Sequence, residues 1–186
     1  LIAVGVLRPS GASAQPEPFE ARSAQFGVLW STRLVEPPRD DWKPRERAGV
    51  VVSPSGGVLF AGSAHGVHAV AADGGRSLWH HRTGESVESR LALDRGTVYA
   101  ATLGGAVIAL RAQDGKPVWS TATRLDAAVQ APLAVDARQV YVATAPSSLV
   151  ALDRATGKPA WRYTDDLLRE FLITGQSGAL VVGNVI

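Results

Sequence analysis

From Gly49 onward, apolar runs of about five residues alternate with short polar turns. Runs this short, bounded by Gly, Pro, Asp and Ser, predict β-strands. The first set places strands at Gly49–Pro54, Gly57–Gly62, Gly66–Ala71 and Ser77–His81, with an Asp-Gly-Gly turn before the last. The second places them at Ser89–Leu93, Val98–Thr102, Gly105–Leu110 and Pro117–Ser120. The third repeats the scheme at Ala131–Val135, Val140–Thr144, Ser148–Leu152 and Pro159–Arg162.

The hairpin that closes each set is nearly the same sentence written three times. Ala151-Leu-Asp-Arg-Ala-Thr-Gly157-Lys-Pro-Ala-Trp161 follows Ala109-Leu-Arg-Ala-Gln-Asp-Gly115-Lys-Pro-Val-Trp119, and Ala71-Ala-Asp-Gly74-Gly-Arg-Ser-Leu-Trp79 is a looser copy. Trp79 and Trp119 are 40 residues apart, Trp119 and Trp161 are 42. A period near forty with four short strands per unit is the signature of a β-propeller blade. One such sheet cannot bury both faces alone, so its neighbours must stack on it. The tryptophans then read as structural staples whose ring N–H finds a carbonyl between blades. Gly74, Gly115 and Gly157 are expected to supply the positive φ of the hairpin turns.

The flanks are less regular. Residues 15–48 are broken by prolines, and only Gly27–Leu34 resembles a strand, one that ends a unit whose first half is missing. Glu36–Arg47 is a polar loop. At the other end, residues 171–186 open a fourth unit, with Ala179–Gly183 standing where Val98–Thr102 and Val140–Thr144 stood. The expected fold is therefore all-β: a partial propeller of about three to four blades, near residues 49–81, 89–121, 131–163 and an incomplete 171–186, forming the N-terminal piece of a larger ring.

Composition narrows the functions. At 186 residues and 46% hydrophobic content the chain can bury an ordinary core. It has no cysteine, which excludes disulfides, thiolate metal sites and cysteine nucleophiles within it. The net charge is +2, with 19 basic and 17 acidic residues interspersed and no basic run, so nucleic acid is not an expected partner. Residues 1–14 combine the apolar run Leu1–Leu7 with Ala12-Ser-Ala14, the small-x-small pattern of a signal-peptidase site, and read as the remnant of an export signal.

Candidate chemistry is sparse. His65 and His68 flank a turn, and His80 and His81 lie on an edge strand. Adjacent strand residues point to opposite faces, so the four are read as surface or turn histidines and no metal site is expected. Asp73, Asp94, Asp114 and Asp136 fall in turns, where aspartate caps local N–H groups. Neither a Ser-His-Asp ordering nor a phosphate-cradling glycine loop occurs.

The hairpin Ala151–Trp161, together with Val140-Tyr-Val-Ala-Thr144 before it, resembles the pyrroloquinoline-quinone (PQQ) type of propeller repeat. Two functional classes share that repeat. In the quinoprotein dehydrogenases it surrounds a quinone cofactor and a calcium ion; in the BamB-like scaffolds of outer-membrane β-barrel assembly it binds proteins. The resemblance is nearer to the second. Arg169-Glu-Phe-Leu-Ile-Thr-Gly-Gln-Ser-Gly178 is similar to the BamB linker that meets the barrel-forming partner. Position by position it implies partner-binding roles for Phe171 and Ile173 as apolar anchors and for Gly175 and Ser177, with Thr174 in place of the family's arginine. The resemblance thus implies a non-enzymatic periplasmic scaffold, peripheral to the outer membrane and without cofactor. A lipobox cysteine, usual in that family, is not present in this sequence. The alternatives are the propeller of a PQQ-dependent dehydrogenase and a generic extracytoplasmic binding module.

Overall fold

A computed structural model describes residues 2–7, 26–35, 48–145, 148–164 and 179. Fourteen strands and no helix occur among them. Ile2–Leu7 (β1) and Phe26–Thr32 (β2) form an antiparallel pair, so the apolar run expected to be an export signal lies here along β2.

Three four-stranded antiparallel sheets follow, each with its strands in chain order. The first contains Val51–Val52 (β3), Val58–Ser63 (β4), Gly66–Ala71 (β5) and Ser77–Arg82 (β6). The second contains Ala92–Asp94 (β7), Thr97–Ala101 (β8), Ala106–Arg111 (β9) and Thr123–Arg124 (β10). The third contains Ala134–Val135 (β11), Gln139–Thr144 (β12), Ser148–Asp153 (β13) and Pro159–Thr164 (β14). The fold is that of β-propeller blades.

Burial explains the unbroken apolar runs of the middle strands. β5 is buried at every position and β4 and β8 at all but the first, because both faces of these strands are covered. Leu59, Ala61 and Val70 on one face of the first sheet meet Trp30 and Leu34. Phe60, Val67 and Val87 join Val98 and Leu110 between the first and second sheets. Tyr99, Val107 and Trp119 join Val140 and Leu152 between the second and third. The cores are thus junctions between stacked sheets. The first strands are short, and β7 touches β11, so the sheets converge on that side and fan apart toward their fourth strands.

Several strand expectations are corrected. The first strands of the second and third units begin later than Ser89 and Ala131: the segments before β7 and β11 drop Val87, Ser89, Leu91, Val129 and Leu133 into the core without pairing as strands. The expected strand Pro117–Ser120 is broken. Pro117 bridges Leu110 and Thr123 pairs Val107, so the outer chain takes six steps where β9 takes three. The surplus bends outward as Trp119 turns in, to 4% exposure.

Candidate functional site

Each junction is built from one tryptophan and the hairpin of the next sheet. Trp30 Nε1 donates to Ala72 O, Trp79 Nε1 to Ala112 O and Trp119 Nε1 to Arg154 O, all at 2.9 Å. Each ring lies flat against a glycine three residues beyond that carbonyl. A Cβ on Gly75, Gly115 or Gly157 would stand 2.6 Å from the ring of Trp30, Trp79 or Trp119, and all three glycines have φ near +70°. In the first unit the turn glycine is therefore Gly75 rather than Gly74, which has open space and no positive φ. Trp161 differs, since its Nε1 reaches Gln139 Oε1 of its own sheet at 3.2 Å.

The linkers that run from one sheet to the next form a polar rim. In the first, Val87 N donates to Ser63 O at 2.9 Å and Ser89 Oγ to Ala101 O at 3.1 Å, and both residues are fully buried. Glu88, between them, reaches outward and accepts from Ser86 Oγ at 3.4 Å and from Gln130 Nε2 of the second linker at 3.5 Å. Glu85 accepts from Thr102 Oγ1 at 2.5 Å and pairs with Arg124 at 2.9 Å. The Thr102 hydroxyl first, and then Arg124, hold its carboxyl below the usual range. Alternate linker residues thus anchor the chain and display side chains, by the period-two geometry of extended backbone.

The sequence-predicted partner residues follow β14 in the chain. Phe171, Ile173, Thr174, Gly175 and Ser177 lie outside the described residues, as does Ala179–Gly183 except for Ala179 itself.

Of the four histidines expected at the surface or in turns, His65 and His80 are exposed and His81 is half-buried, and only His68 departs from the expectation. His68 is buried at 5% exposure, with Nε2 2.8 Å from Ser63 Oγ, and its ring stacks on His80 with centroids 4.0 Å apart and planes 8° from parallel. The sheet register sets His68 opposite His80, which the sequence alone did not reveal. Burial, aided by His80 and His65, lowers the His68 pKa to about 4. Among the described residues no group of three or more His, Cys, Asp or Glu is placed to hold a metal ion.

Stacked four-stranded sheets stapled by tryptophan on glycine define the class: propeller proteins built from PQQ-type repeats. The family model described as outer membrane protein assembly factor BamB matches residues 63–186, and the chain belongs to that family. Among solved structures, BamB from Moraxella catarrhalis is 26% identical with a TM-score of 0.54, the match covering 64% of this chain and 37% of that one. The chain therefore spans well under two thirds of that protein. A quinohemoprotein alcohol dehydrogenase from Pseudomonas putida HK5 is 24% identical with a TM-score of 0.56, covering 66% of this chain and 21% of the enzyme. A computationally designed protein, Ika4, is 17% identical with a TM-score of 0.61, covering 85% and 88% of the two chains. The last two share the fold. No curated protein sequence matches the chain.

Proposed function

We propose that the chain is a non-enzymatic periplasmic scaffold of the BamB type, peripheral to the outer membrane, that binds proteins in outer-membrane β-barrel assembly. The observation that carries this reading is the family match over residues 63–186, which includes the linker from Phe171 to Ser177. On this reading Phe171 and Ile173 are apolar anchors for the barrel-forming component of the machinery, and Thr174, Gly175 and Ser177 shape the loop around them. The two described linkers support it physically. Their alternating residues fill the core through Val87, Ser89 and Leu91 while the residues between stay accessible. A linker of this kind can display side chains without giving up the packing between sheets.

The test is capture of the tagged protein from envelope extracts, with the wild type compared against the double variant Phe171→Asp, Ile173→Asp. Recovery of the barrel-forming component by the wild type alone is expected; equal recovery by both sinks the assignment of the loop. Dye reduction by the purified protein that depends on added quinone cofactor and calcium would replace the scaffold with a dehydrogenase.

A further inference from the structure

The outer chain of the second sheet departs from its two sisters at one place. Over three steps of the inner strand, the outer chain takes four in the first sheet, from Ser77 to His81, and four in the third, from Pro159 to Tyr163. In the second it takes six, from Pro117 to Thr123. The alanine within that span, Ala69 in the first sheet and Ala151 in the third, lies directly opposite the tryptophan. Its counterpart Ala109 does not, because Trp119 has turned in and the surplus residues have left the edge.

The displaced chain leaves one rung half made. Ala109 O accepts from Val118 N at 2.8 Å, so the Ala109 backbone faces the outer chain. The rungs on either side are complete: Arg111 N donates to Lys116 O at 2.8 Å and Leu125 N to Gly105 O at 2.9 Å. The N–H and C=O of one strand residue point the same way, yet among the described residues nothing accepts from the Ala109 N–H. Ala109 is 2% exposed, and a buried backbone donor without an acceptor is rare. It lines a partly open cavity of about 140 Å³ between β6 and the bulged chain. Ile108, Leu110 and Pro117 give that cavity an apolar wall, His81 of β6 closes it from the first sheet, and the exposed Ser120 and Thr121 border it. No Lys, Arg, Asp or Glu lines it.

We propose that this cavity is a binding site for a carboxamide side chain, a glutamine or asparagine of a partner protein. The carboxamide oxygen takes the Ala109 N–H, its NH₂ group donates to the hydroxyls of Ser120 and Thr121, and its methylene stem lies on Ile108, Leu110 and Pro117. A lone buried donor calls for an acceptor, and a lining without a cation calls for a neutral one, since burying an unpaired carboxylate costs far more than burying a hydrogen-bonded amide. The volume is close to that of a cavity of about 150 Å³ that holds one benzene-sized ligand, so it admits one side chain and not the main chain on either side of it. Binding here needs no residue of the loop from Phe171 to Ser177.

The probes are N-acetyl-glutamine N-methylamide and its glutamate and norleucine counterparts, titrated at neutral pH into the whole chain labelled with ¹⁵N-alanine. The Ala109 amide resonance is expected to move downfield and saturate with the glutamine probe, as its hydrogen bond forms. The glutamate and norleucine probes are expected to bind at least about tenfold more weakly, one for its unpaired charge and the other for leaving the donor orphaned. A chain lacking Ser120 and Thr121, whose outer chain then has the four steps of the sister sheets, is expected to lose the glutamine response. Ile108→Phe, which fills the cavity at unchanged chain length, is expected to lose it too and replaces the deletion where that does not fold. Equal binding of the glutamine probe and either counterpart, or an Ala109 resonance that stays in place up to the solubility limit of the probe, overturns the proposal, and neither result depends on a variant folding. Tighter binding of propionamide than of the glutamine probe would make the occupant a free small amide and overturn the choice of a protein partner.

Discussion

Replacing Gly157 by alanine tests the staple at its closest approach. The added Cβ would stand 2.6 Å from two atoms of the Trp119 ring, well inside van der Waals contact, at a backbone φ of +76°. Alanine at positive φ costs about 1 kcal/mol, and forcing a packed side chain off its site adds roughly 1–3 kcal/mol. The ring cannot retreat cheaply. It is buried between Tyr99 and the third sheet, and moving it breaks the 2.9 Å bond to Arg154 O. The expected loss is therefore about 2–4 kcal/mol, most of it steric. Gly84→Ala supplies the control, since Gly84 has φ +73° but nothing within 4 Å of its would-be Cβ, so only the backbone penalty of about 1 kcal/mol applies. Denaturant midpoints with a common m-value measure both. If Gly157→Ala is no more destabilising than Gly84→Ala, the glycine is present for its turn alone and the close approach to the indole carries no weight.

Three further outcomes follow from the same geometry. Trp119→Phe keeps most of the apolar body but orphans the Arg154 carbonyl, and is expected to lower stability by about 1–3 kcal/mol, read as a shift in denaturant midpoint. Arg154→Ala is expected to lose about 1–3 kcal/mol while the Trp119 indole N–H resonance stays in place, because its acceptor is the backbone of residue 154 and not the side chain. The folded-state pKa of His68 lies below its unfolded value of 6.5, so the folded state excludes a proton that the unfolded state takes up. Its contribution is fully present above pH 6.5 and is lost as pH falls through about 4, a change on the order of 3 kcal/mol. Denaturant midpoints measured from pH 7 to 4 are expected to fall more steeply for the wild type than for His68→Gln.

What the sequence made legible was the part each unit repeats. β4, β5, β8, β9, β12 and β13 stand where their apolar runs predict them, because residues covered on both faces leave a strong signal. The choice of Gly74 over Gly75 was a misreading of a glycine pair, and a signal was available: the turn glycine stands four residues before the tryptophan in all three units. The break between Val118 and Thr123 was hidden, since Pro-Val-Trp-Ser reads like Pro-Ala-Trp-Arg and the surplus residues follow it. Cross-strand and cross-sheet meetings were also hidden. His68 on His80 depends on hairpin register, and Arg154 on Asp94 joins residues 60 positions apart. The candidate partner loop was legible only through its resemblance, as its residues lie outside those described.

The broken outer strand of the second sheet bears on how the molecule resists sticking to itself. Among the described residues, β6 and β14 each offer a six-residue outer edge, whereas β10 offers only two residues after the outward bend. Edges invite a foreign strand in proportion to their unbroken length, and a bulge blunts them. Lateral pairing is therefore discouraged along the middle sheet and left to its two neighbours, where the positively charged Arg82 and Arg162 act as gatekeepers on the exposed rail.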